Sequence, residues 1–73
     1  MNTANQIMLG DVVSATLETQ GRQLASVQAG HFSNMQEIIA HATRVAGTWR
    51  GIARLLVRNR TQGWVVSMPL ARA

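Results

Sequence analysis

Between Met35 and Leu56 the apolar residues Met35, Ile38, Ala42, Val45, Trp49, Ile52 and Leu56 recur at steps of three and four without a break. That spacing is the period of one helix face, and no other feature of the chain constrains its fold as tightly. Ile39, Ala46 and Ala53 widen the stripe on one flank and Leu55 on the other. The result is broader than a two-stranded coiled coil needs and suits the core of a bundle. Ser33 with Gln36, and Asn34 with Glu37, each offer a capping box at the start. Arg58, Arg60 and Gly63 supply the cations and the C′ glycine of a helix end. The pattern predicts a helix over about 34–61, about 40 Å long at about 1.5 Å per residue.

Residues 4–28 are less regular. Leu9, Val13, Leu17, Leu24 and Val27 fall on one helical stripe, with Val12 beside it and Gln20 interrupting it. Thr3 with Gln6 offers an N-cap, Asp11 a second, and Gly30 a C′ residue. Gly10 and Gly21 would each cost about 1 kcal/mol inside a helix, so either can break or kink it. A competing reading makes Asp11–Glu18 a strand, because Val12, Val13, Thr16 and Leu17 suit a pleated surface. The alternation there is poor, and helix is the preferred reading. A link at Ala29–Ser33 is short enough to make the two helices antiparallel neighbours. After Gly63, Trp64-Val65-Val66-Ser67-Met68-Pro69-Leu70 cannot continue a helix and reads as a short extended tail.

The expected architecture is therefore all-α. It is one small helical domain over residues 1–73, an antiparallel two-helix hairpin (about 4–28 and about 34–61) with a short extended C-terminal tail at 63–73. A chain of 73 residues without cysteine has a marginal core and no disulfide to reinforce it. Two histidines and three acids make a metal cage improbable, and no cofactor or metal is expected. Self-association is then the expected source of stability. Met35, Ile38, Val45, Trp49, Ile52 and Leu56 would form the interface of a homodimeric four-helix bundle.

Charge is unevenly placed. Residues 1–40 carry Asp11, Glu18 and Glu37 against Arg22, while residues 41–73 carry Arg44, Arg50, Arg54, Arg58, Arg60 and Arg72 and no acid. The net charge of +4 belongs to the second half alone. On a helix Arg50, Arg54 and Arg58 share the face opposite the stripe. They form, with Trp64, Val65, Val66 and Met68 of the tail, the expected partner-binding surface. There is no Cys, Tyr or Lys, the acids are scattered, and no motif supports a Ser–His–Asp arrangement, so no enzyme is expected.

Trp49-Arg50-Gly51 resembles the Trp-x-Gly turn of a family of small secreted helical-hairpin proteins. It covers three residues inside the stripe, and the chain has no Tyr for that family's downstream signature, so nothing is carried over from it. The start of the chain lacks a basic region before an unbroken apolar run, and no window of about 20 residues is free of charge. A cytoplasmic protein with no membrane span is expected. The function expected is a small non-enzymatic protein-interaction module of bacterial or phage origin, an adaptor, inhibitor or secretion-associated chaperone, whose partner has an acidic surface. The alternative is a basic nucleic-acid-binding dimer using the Arg face.

Overall fold

The computed structural model describes residues 6–72, and in them the chain is mostly sheet. Its elements run β1 (Val12–Thr19), β2 (Arg22–His31), α1 (Met35–Ala46), β3 (Gly51–Asn59) and β4 (Trp64–Arg72). The four strands make one antiparallel sheet in the order β2-β1-β3-β4. The helix lies across β2 and β1 on one face of it.

The all-α expectation is thus overturned. Residues 4–28, expected as helix one, instead hold the β1–β2 hairpin, with residues 4 and 5 and the Thr3 N-cap outside the described residues. The turn explains why. Gln20 and Gly21 both take positive φ, 51° and 74°. This is the two-residue geometry whose twist matches that of antiparallel strands, and Gly supplies the second position without steric cost. Val13, Ala15 and Leu17 of β1 then alternate inward beside Ala25 and Val27 of β2. Register shifts between Val13 and Ala15 and between Leu17 and Glu18 mark two bulges. The bulge around Leu24 spoils the period-two pattern in the sequence.

Helix two, expected over 34–61, is a helix only to Ala46. Its start is where the capping pattern puts it. Asn34 Oδ1 accepts from Glu37 N at 2.9 Å and Glu37 Oε1 accepts from Ser33 N at 3.2 Å. Its end comes early because Gly47, at φ 79°, closes the last turn with its N–H on Thr43 O. The seven-residue stripe is therefore divided. Met35, Ile38, Ala42 and Val45 stay on the helix, Trp49 lies in the connection, and Ile52 and Leu56 belong to β3. The bundle seam does not exist, and neither does the four-helix bundle. A step of four, as from Ile52 to Leu56, keeps two residues on one face of a strand as well as of a helix. The expected tail at 63–73 is β4, paired along its length with β3, and Ala73 lies outside the described residues.

The core is the layer between α1 and the sheet. Val13, Leu17, Leu55, Val57 and Ile38 are fully buried there, with Ala42, Ala53 and Trp49. Trp64, Val66, Met68 and Leu70 of β4 pack against its margin. No helix is long and apolar enough to cross a membrane among the described residues.

Candidate functional site

Among the described residues, the other face of the sheet has no layer over it. In β3 the even-numbered residues point there: Ile52, Arg54, Leu56 and Arg58, all exposed, with Arg60 following in the turn. Strand register decides their neighbours. On β1, Ser14 lies opposite Arg58, Thr16 opposite Leu56 and Glu18 opposite Arg54. On β4, Val65, Ser67 and Pro69 lie opposite the same three β3 residues. Beyond β1, Ser26 of β2 pairs with Thr16. The face is thus a row of arginines interleaved with hydroxyls and with the exposed aliphatic side chains of Ile52, Leu56 and Val65.

The bulge between Val13 and Ala15 lies within this face, and the surface is hollow around it. A groove of about 440 Å³ runs over β2, β1 and β3. Ser14 and Thr16 line it from the centre, Ser26 and Gln28 from β2, and Leu56, Arg58 and Arg60 from β3. No acidic residue lines it. Arg54 is held by a hydrogen bond from Nη1 to Ser67 Oγ at 2.9 Å. Arg58 and Arg60 make no side-chain hydrogen bond or ion pair among the described residues.

The acids are elsewhere engaged. Glu37 caps α1. Asp11, buried, accepts at Oδ2 from Met8 N, Asn59 Nδ2 and Gln62 Nε2 at 2.9, 2.8 and 2.6 Å. The Asn59 amide and the Met8 N–H hold its carboxyl below the ordinary carboxylate range; burial opposes them and the Gln62 amide adds to them. Asn59 Oδ1 accepts in turn from Gln62 N at 2.9 Å. This clasp ties the turn before β1 to the β3–β4 turn. Only Glu18 remains to offer negative charge on the uncovered face.

Of the residues expected to bind a partner, the strand brings Arg54, Arg58 and Val65 onto this one face. Arg50 is exposed just before β3, off the strand. Trp64, Val66 and Met68 fall on the opposite, core-facing side of β4 and are partly buried. Of the expected oligomer residues, Ile38 and Trp49 are core, Met35 packs against the core, Val45 is exposed on α1, and Ile52 and Leu56 are on the uncovered face. Helical reasoning missed Ser14, Thr16, Ser26, Gln28 and Arg60. The signal for them is the alternation of polar residues at 14, 16 and 18 and at 54, 58 and 60, legible only at period two. Among the described residues no three of His, Cys, Asp and Glu come together as metal ligands would. No family model, curated protein or solved structure matches this chain.

Proposed function

We propose that this chain is a non-enzymatic protein-interaction module that takes an acidic segment of another protein across the uncovered face of its sheet. The observation that supports it is the row Arg54, Arg58 and Arg60 on a face where Glu18 is the single acid and the last two guanidinium groups have no partner among the described residues. A guanidinium presents a fork of donors that matches a carboxylate in pairs. Ile52, Leu56 and Val65 between the arginines give an extended segment apolar footholds.

Two features argue for a polypeptide lying on the face and against other routes. Sheet faces that hold single-stranded nucleic acid do so with aromatic rings on which bases stack. Here Phe32, Trp49 and Trp64 all pack with the core. Strand addition at the β4 edge is opposed by Pro69, which sits mid-ladder opposite Arg54. A proline is accommodated there when its missing N–H falls on the free side, which removes a donor from the edge.

The test is fluorescence anisotropy with a labelled glutamate-rich peptide and a labelled single-stranded oligonucleotide, each titrated with the full chain at low salt. The peptide is expected to bind. The triple substitution Arg54→Glu, Arg58→Glu and Arg60→Glu is expected to abolish that binding while leaving the circular dichroism spectrum unchanged. An oligonucleotide that binds with a steep salt dependence, beside a peptide that does not bind, overturns the proposal.

A further inference from the structure

We infer that the groove over β2, β1 and β3 is a seat for a phosphate monoester, carried as a phosphorylated side chain by the acidic segment proposed above. The inference rests on that reading and narrows it. Arg58, on β3, and Arg60, in the turn that follows it, both line the groove. They enter the groove from β3, and Ser14, Thr16 and Ser26 bring three hydroxyl groups to its floor from the other two strands.

The donor set exceeds what a carboxylate can use. A carboxylate offers two oxygens and one charge. A phosphate monoester offers three terminal oxygens and close to two charges at neutral pH. Two guanidinium groups on one side and hydroxyls on the other can satisfy all three oxygens at once. The electrostatics agree, because no acid among the described residues lines the groove and Glu18 lies opposite Arg54, four register positions from the Ser14–Arg58 pair. Within the row, Arg54 is already engaged by Ser67, whereas Arg58 and Arg60 have no partner among the described residues. The two uncommitted cations are the two that line the groove. Leu56 gives the wall an apolar stretch for the stem of the side chain, and about 440 Å³ is room for a residue with its immediate neighbours rather than for an ion alone.

The experiment uses three glutamate-rich peptides that differ at one central position, which is Ser, phosphoserine or Glu. The expected result is that the phosphoserine peptide binds the full chain about tenfold more tightly than the Glu peptide, the order expected for added charge-assisted hydrogen bonds. Millimolar inorganic phosphate is expected to compete with it and to move the amide resonances of Ser14, Thr16, Ser26 and Arg58. The variant Thr16→Val with Ser26→Ala is expected to bring the ratio of phosphoserine-peptide to Glu-peptide affinity close to one, and an undiminished ratio overturns the phosphate seat. Equal binding of the phosphoserine and Glu peptides overturns the phosphate seat and leaves the acidic-partner reading standing. Failure of all three peptides to bind overturns both.

Discussion

Asn59 Nδ2 donates to Asp11 Oδ2 at 2.8 Å, a buried bond between residues 48 apart in the chain. Asn59 is fully buried at the end of β3, opposite Val13. Its amide carries two tasks, one toward Asp11 and one toward Gln62 N. Replacing it with Ala leaves a buried carboxylate short of a donor, and such a group is costly to leave unsatisfied. Asn59→Ala is therefore expected to lower the urea midpoint, with faster amide exchange at Met8 and Gln62. An unchanged midpoint would show that the clasp contributes nothing.

The same clasp sets a pH dependence. The Asp11 carboxyl is held below its ordinary value of 3.8 in the folded chain. Between the folded and unfolded values the unfolded chain binds more protons, so stability rises with pH across that window. The contribution is complete above about 3.8 and disappears as pH falls through the folded value. Urea unfolding from pH 2 to about 5 is expected to show this slope, and Asp11→Asn is expected to flatten it.

Leu55 and Leu56 offer the sharpest contrast between a strand and a helical stripe. Leu55 is fully buried opposite Leu17, whereas Leu56 faces outward. Leu55→Ala is expected to cost about 3 kcal/mol. Leu56→Ala is expected to stay within about 1 kcal/mol, as outward-facing substitutions do. Chemical denaturation of the two variants checks both. The helical stripe would give the larger loss to Leu56.

At the β1–β2 turn Gln20 takes a φ of 51°, unusual for a residue with a side chain. Asn tolerates that region better, and Asn-Gly is the preferred pair for such a turn. Gln20→Asn is expected to raise the melting temperature slightly. Gly21→Ala, at φ 74°, is expected to cost about 1 kcal/mol. Calorimetry on both variants reads the two signs.

Asn34 caps α1 through its bond from Glu37 N. Asn34→Ala is expected to cost about 1 kcal/mol, a typical value for a lost N-cap. Denaturation coupled with helical circular dichroism measures it, and no change would assign the helix start to packing alone.

The helix start was legible because its signal is local. Asn34 accepts from the Glu37 N–H and Glu37 accepts from the Ser33 N–H, all within one turn. That Arg54 and Arg58 share a face was legible too, since a spacing of four keeps two residues together in either secondary structure, but their expected separation from Ile52 and Leu56 is overturned, because in a strand all four lie on the one exposed face. What was not legible is the partner of each strand. Ala53, Leu55 and Val57 alternate inward, but the apolar Ile52 and Leu56 between them mask the alternation, and an unbroken three–four spacing competes with it. Only pairing with β1, far earlier in the chain, and with β4, across the following turn, resolves the ambiguity. Gly21 was visible as a helix-weakening residue, and Gly47 stood inside the expected second helix. Their positive φ values are what divide the chain into a hairpin and a short helix.

The sheet order places β1, the first strand of the chain, in the interior with β2 and β3 on either side. Its neighbours arrive at different times as the chain is synthesised. β2 follows after a two-residue turn, but β3 comes only after β2 and the whole of α1 have been made. Until then β1, an interior strand of the finished sheet, is an outer one, with a full row of backbone groups unpaired. The part of translation between His31 and Asn59 is therefore the interval in which β1 of a nascent chain is open to pairing with the wrong strand.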